Sequence, residues 1–456
     1  MLETPQTLRD THVVFNQPAP LAGINLFETD QPLQDGLRHL MPGLDLSPLR
    51  ALGRVVARAD MQEHARLANA HPPQLRTHDR FGRRLDEVEF HPSYHALMAL
   101  ATQAGLHAAP WVEGRPGGQV LRAAGFMLAM QLEPGVMCPV SMTYAAAPAL
   151  RHHPALHAAW GPGLGARAYD PRLAPWKDKP GLTMGMGMTE KQGGSDVRAN
   201  TTRAEADGAD TWGPRYRLTG HKWFLSAPMS DAFLVLAQAG DGLTCFFLPR
   251  VLPDGSLNSL RLQRLKDKLG NRANASAEVE FQGALAWRVG EAGRGIARIL
   301  EMGALTRLDC ALGTSGLMRQ AIGAVAESTT EAKPLILLTT FPQESHGLGL
   351  LMAECMMVLQ GARCLSLGTQ TPLRDIVQAA QAHRVHVVAL SFSATMNPNH
   401  VLDGLAELRR ALPANVEIWA GGRCPILRRR RVDGVQVLHD LDQIGDEVKR
   451  WVAAAA

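Results

Sequence analysis

From Pro334 onward the sequence alternates between two kinds of segment. Five short apolar runs, LILLTTF, CLSLG, VHVVALSFS, VEIWAGG and VQVLH, read as buried strands. Between them lie helix-compatible stretches such as GLGLLMAECMMVLQG, LRDIVQAAQAH and HVLDGLAELRRAL. Strand and helix in alternation predict a parallel, doubly wound sheet. In a sheet ordered 2-1-3-4-5, ligands gather at the carboxyl ends of the strands that flank the switch point. Glu344, His346 and Gly349 follow the first of these strands, Ser391 and Ser393 end the third, and Gly421 and Gly422 end the fourth. These three strands are neighbours in that order, so the residues converge on one edge. A lone histidine in such a loop is otherwise read as a satisfied core or loop residue.

The preceding residues have a different texture. Up to about residue 180 the signals are helical and loop-like, with long apolar faces in FHPSYHALMALATQAG and QVLRAAGFMLAMQLEPGVMCPVSMTYAAAPAL. From Leu182 to about Val289, short alternating segments separated by Asp-Gly, Gly-Asp and Pro-Asp-Gly turns predict antiparallel β-structure. A single long helical pattern, RGIARILEMGALTRLDCALGTSGLMRQAIGAVAE, follows. A short polar seam, STTEAKP, Ser328 to Pro334, separates it from the strand-helix alternation. The expected domains are residues 1–181 (helical), 182–290 (β), 291–327 (one helix) and 334–445 (doubly wound α/β).

At 456 residues the chain exceeds what one core usually holds, and 46% hydrophobic with 20% charged residues fits a packed globular protein. The balance of 47 basic against 43 acidic residues gives no electrostatic argument for nucleic acid. The run Arg428 to Arg431 reads as a solvated loop or helix end, with phosphate binding as the alternative. Six scattered cysteines without a C-x-x-C pair suit reduced thiols, and the N-terminus lacks the apolar core of a signal peptide. A cytoplasmic protein that does not enter a membrane is expected.

Within the β-region, GMGMTEKQGGSDVRANTTRAE holds a strand-like approach to Thr189 and Glu190, then Gly193, Gly194 and Ser195. Glycines there allow backbone amides close to a diphosphate, although Gly-Gly-Ser alone is equally a tight turn. GHKWFLS, one strand later, offers Trp223 and the hydroxyl of Ser226 to flank an isoalloxazine ring.

These stretches, together with THVVFNQPAPLAGINLFETD, LPDG, LKDKLGNR-NAS and TRLDCALG, resemble the acyl-CoA dehydrogenase family, and closely its AidB branch, as far as about Gly323. The resemblance implies a helical domain, a β-sandwich-like middle domain, and FAD held against Met186, Gly187, Met188, Thr189, Gly193, Gly194, Ser195, Trp223, Phe224 and Ser226. It implies an oxidoreductase acting on the CH–CH bond of an acyl-CoA thioester. Only the first helix of the family's C-terminal helical domain is found, so the glutamate base of the later helices is missing. The partner-facing walls and the DNA-binding surface of the AidB branch are missing with it. Where some branches place the base on the first helix, just before Arg307, this sequence has Thr306. No catalytic residue is assigned, nucleic acid is not an expected partner, and the unpaired helical face predicts self-association.

The C-terminal segment resembles base-off, His-on cobalamin-binding domains, most similarly those of MerR-type regulators, over about residues 334–441. Their pattern is Asp/Glu-x-His-x-x-Gly, Ser-x-Leu and Gly-Gly. The resemblance makes His346 the lower cobalt ligand and Glu344 its orienting partner. Gly349, Ser391, Gly421 and Gly422 shape the cavity for the nucleotide tail, with Ser393 standing where the family has leucine. Neither the helical module that caps cobalamin nor a helix-turn-helix is recognised upstream. The expected whole is a flavin-dependent module fused to a cobalamin-binding domain. The alternatives are a cobalamin sensor without catalysis, or a non-functional chimaera of two gene fragments.

Overall fold

The computed structural model describes residues 21–327 and 334–455. The seam read from STTEAKP therefore lies outside the described residues, apart from Pro334. Two compact units divide the chain between Leu317 and Met318.

The first unit begins with helices α1 (Gln31–Leu40), α2 (Ser47–Val56), α3 (Ala59–Ala70), α4 (Pro92–Gln103), α5 (Ala109–Glu113), α6 (Gly118–Met130), α7 (Met137–Leu150) and α8 (Pro154–Gly165). Prolines stand at the first turns of α1, α2, α4, α5 and α8, where a missing N–H costs nothing. Asp30 caps α1 by accepting from Leu33 N at 3.1 Å.

A hairpin, β1 (Gln74–His78) with β2 (Arg84–Glu89), interrupts these helices in a stretch whose sequence signals are helical and loop-like. Its strands are mostly polar, with Leu75, Leu85 and Val88 as their apolar residues, so little apolar alternation marks them. Tertiary bonds hold them instead: Arg84 Nη2 donates to Leu262 O at 2.9 Å, and Leu262 N donates to Asp86 Oδ1 at 2.8 Å.

Seven strands follow: β3 (Met184–Gly187), β4 (Arg203–Asp210), β5 (Gly213–Ser226), β6 (Ala232–Ala239), β7 (Gly242–Pro249), β8 (Leu260–Leu265) and β9 (Ser276–Arg288). Their order is β3-β5-β4-β6-β7-β9-β8, and an extra pairing of β5 with β9 curls the sheet back on itself. Most pairs are antiparallel as expected, but β6 runs parallel to both β3 and β4. One face packs Phe233, Val235, Phe246 and Phe281, and the other packs Leu234, Leu236, Phe247 and Trp287, the period-two alternation of a sheet covered on both sides. Helix α9 (Gly295–Glu327) follows and runs past the division at Leu317, and its Asp309 is buried in a bidentate pair with Arg122 of α6.

The second unit holds β10 (Leu335–Thr339), α10 (Leu348–Leu359), β11 (Arg363–Ser366), α11 (Leu373–Ala382), β12 (Val387–Phe392), α12 (Pro398–Ala411), β13 (Glu417–Gly422), α13 (Ile426–Arg429), β14 (Val435–Leu438) and α14 (Asp442–Ala455). All five strands are parallel and ordered β11-β10-β12-β13-β14, the doubly wound order expected from the sequence. Leu337, Val388, Leu390 and Ile418 pack toward α11 and α12. Ile336, Val387, Ala389 and Trp419 pack toward α10 and α14. Among the described residues, no helix is long and apolar enough to cross a membrane.

Candidate functional sites

In the first unit, β3 and β5 bring the two flavin-type stretches side by side. Met186 lies opposite Ser226 and Gly187 opposite Leu225. Beyond the strand, Trp223 N and Phe224 N both donate to Thr189 O, at 2.8 and 3.4 Å. They are free to do so because the ladder between β5 and β9 shifts register between Lys222 and Leu225. Such a bulge re-aims side chains, and here it leaves Phe224 43% exposed on the outer surface. Asn200 Nδ2 fixes Met188 O at 3.0 Å. The loop then folds over itself, with Gly193 N donating to Glu190 O at 3.0 Å and Gly193 at a φ of 101°, where a side chain would be strained. Among the described residues, the amides of Gly194 and Ser195 donate to no protein acceptor, which fits an anionic group such as a diphosphate.

Sequence reasoning missed what holds this loop in place. Glu190 and Lys222 form a fully buried ion pair at 2.6 Å. Glu190 also accepts from Thr201 N at 2.7 Å and Thr201 Oγ1 at 3.0 Å, and from Thr202 N at 3.1 Å and Thr202 Oγ1 at 2.6 Å. Burial alone would raise the Glu190 pKa, but the Lys222 charge and these donors outweigh it and hold it at about 2. Both residues lie inside quoted motifs, yet nothing in either stretch announces that one meets the other. On the Trp223 ring, Lys266 Nζ stands 3.1 Å from the centroid, held by Glu278 at 2.8 Å.

In the second unit, the loop from β10 to α10 carries Glu344 and His346. The Glu344 carboxylate is buried and accepts from His346 N at 3.0 Å, from the His346 ring at Nδ1 at 2.7 Å, and from Ser393 N at 2.6 Å. Burial raises its pKa, but the Ser393 and His346 donors prevail and keep it below its ordinary value. With Nδ1 engaged as the donor, Nε2 presents its lone pair, and the side chain is 64% exposed. That is the arrangement a metal-ligating imidazole needs.

Beside this loop lies a cavity of about 530 Å³ between the sheet, α10 and the start of α14. Gly349, Ser391, Gly421 and Gly422 all line it. Ser391 and Gly421 are direct neighbours across β12 and β13. A Cβ on Gly349 would meet Ser391 Oγ at 3.1 Å at the cavity wall, and Gly422, at a φ of 108°, leaves no room for a Cβ because one would meet Phe392 O at 2.2 Å. Ser393 is not part of the lining; it secures Glu344 instead, and its hydroxyl pairs with Thr395 at 2.8 Å. Trp419 at the floor and Arg423, His439 and Asp440 at the rim were not singled out from the sequence. Arg423 directly follows the Gly-Gly pair, which was the one available signal.

Residues 16–171 match the adaptive response protein AidB N-terminal domain, residues 185–284 the acyl-CoA dehydrogenase middle domain, and residues 334–439 the B12 binding domain. The chain joins an AidB-type acyl-CoA dehydrogenase segment to a B12-binding domain. It is 52% identical over 315 residues to the AidB protein of Escherichia coli (strain K12), an alignment covering 68% of this chain and 57% of that protein. It is 35% identical over 111 residues to the HTH-type transcriptional repressor CarH of Myxococcus xanthus, covering 23% of this chain and 37% of the repressor. The chain therefore spans little more than half the length of the first of these relatives. Its fold is shared with Caenorhabditis elegans ACDH-11, solved in complex with C11-CoA, at a TM-score of 0.63 and 24% identity over 90% of this chain and 66% of that one.

Proposed function

We propose that the B12-binding domain takes cobalamin with His346 as the lower cobalt ligand, and that the upstream segment is a flavin module of the acyl-CoA dehydrogenase type with one wall of its FAD site missing, so that it retains FAD weakly. The observation that carries this reading is the exposed His346 imidazole, tied through Nδ1 to a buried carboxylate and standing beside a cavity of about 530 Å³. Glu344 fixes the tautomer and ring orientation, and Gly349, Ser391, Gly421 and Gly422 leave room for the nucleotide tail. In the upstream segment, Met186 to Thr189, Trp223, Phe224 and Ser226 form the wall for the flavin ring. Gly193, Gly194 and Ser195 offer amides to its diphosphate.

FAD supplies a hydride acceptor, so oxidation of a CH–CH bond in an acyl-CoA thioester asks the chain for a base to take the α-proton. At the position just before Arg307 stands Thr306, whose hydroxyl donates to Gly303 O at 3.1 Å. A hydroxyl does not serve as a carboxylate base there. Among the described residues, α9 is the only helix between β9 and β10. This favours a second reading, in which the chain is a cobalamin-binding sensor or carrier without turnover.

Purification of the full chain with added FAD separates the two readings. The expected result is FAD bound well below one per chain and no bleaching on addition of an acyl-CoA. Stoichiometric yellow FAD that bleaches with acyl-CoA would restore the oxidoreductase reading. Leu300, Leu308 and Leu317 stand exposed on α9, so the chain is expected to self-associate. Light scattering that reports a monomer at all concentrations would contradict this.

A further inference from the structure

One opening among the helices of the first unit belongs to neither cofactor site. It is a cavity of about 350 Å³ between α2, the end of α4 and α6. Its walls are apolar: Leu49, Leu52 and Val55 on one side, Leu100, Leu106 and Leu121 on the other. Gly125 keeps it open, since a Cβ there would meet Leu106 Cδ2 at 2.9 Å. Arg122 also lines it, but its guanidinium is neutralised by the buried bidentate pair with Asp309.

The mouth is charged. Arg115 and Arg167 both reach the cavity, and both pair with the single carboxylate of Glu113. Two guanidinium groups sharing one carboxylate leave a net positive charge at the entrance. Arg167 is further fixed by donating to Gln103 O at 2.9 Å. An apolar interior with a cationic rim matches an amphipathic anion, its hydrocarbon part inside and its acid group at the arginines. The volume stands at the small end of the range for ligand cavities, which sets the hydrocarbon at about ten carbons rather than a long-chain lipid.

We propose that this cavity binds a medium-chain fatty carboxylate, with the chain between α2 and α6 and the carboxylate on Arg115 and Arg167. None of its lining residues belongs to the flavin loop or the cobalamin domain, so the inference stands apart from the function proposed above.

Isothermal titration of the full chain with decanoate, and with decanol as its uncharged counterpart, tests the idea. Decanoate is expected to bind saturably and at least about tenfold more tightly than decanol. Arg115→Gln, a change at an exposed side chain, should weaken decanoate about tenfold and leave decanol unchanged. Val55→Trp, which fills the cavity, should abolish both, with its melting profile recorded beside the wild type. If Val55→Trp fails to fold, the Arg115→Gln comparison still decides. The proposal is overturned if decanoate gives no saturable heat, if decanol binds as tightly as decanoate, or if a folded Val55→Trp binds like the wild type. It is equally overturned if decanoate is silent while Val55→Trp alters the oligomeric state, which would make the cavity a contact between copies.

Discussion

Replacing Lys222 by methionine destabilises the first unit by about 3–5 kcal/mol, the usual consequence of stranding one member of a buried ion pair. Glu190 is left without its counter-charge in a site where neither side chain touches water. Converting the partner as well, in Glu190→Gln with Lys222→Met, should recover more than half of the loss. The amide oxygen still accepts from Thr202 N and Thr202 Oγ1, while the amide NH2 donates to the Thr201 hydroxyl and Thr201 N loses its acceptor, so recovery is not complete. Thermal unfolding followed by tryptophan fluorescence checks both variants, since Trp212 and Trp287 lie in the core of this unit. A single variant that melts like the wild type would refute the account.

The same pair fixes a pH dependence. Glu190 titrates at about 2 in the folded chain, below its ordinary value of 4.5. A depressed carboxyl contributes stability that is fully present above the unfolded pKa and is lost as pH falls through the folded one. The contribution should therefore fade between about pH 4.5 and 2, and the double variant should lack that component. Because Glu190 adjoins Thr189, Lys222→Met should also weaken any retention of FAD.

Cobalamin added to the wild-type chain should shift the visible spectrum toward a histidine-ligated form, and His346→Ala should abolish that shift. Glu344→Ala removes the anchor of the imidazole rather than the ligand. It should cost about 10–100-fold in affinity while a histidine-ligated spectrum persists at high concentration. Glu344 also accepts from Ser393 N, so its loss loosens the loop after β12 as well. Identical spectra for wild type and His346→Ala would remove His346 as the cobalt ligand.

The doubly wound sheet was legible in the sequence because its three central strands, β10, β12 and β13, are mostly buried on both faces. LILLTTF and VHVVALSFS have no polar alternation to confuse the reading, and helical spacing between them forces parallel pairing. Once that order is fixed, the carboxyl ends of β10, β12 and β13 must meet, so the neighbourhood of His346, Ser391 and Gly421 followed from local pattern plus topology. The hairpin of β1 and β2 was not legible. Its strands are mostly polar and are held by bonds to residues about 180 positions away, which no local window contains.

The sequence by itself determined the order of elements in the C-terminal sheet, its parallel pairing and the positions where glycine and histidine cluster, because these depend on spacing between near neighbours. Only the tertiary structure decided which charges meet. Glu190 and Lys222 are 32 residues apart, and Glu344 and Ser393 are 49 apart. Each is an ordinary polar residue until the fold removes its water and leaves one partner within reach. The cavity between α2 and α6 arises in the same way, from side chains whose separations along the chain say nothing about the space left between them.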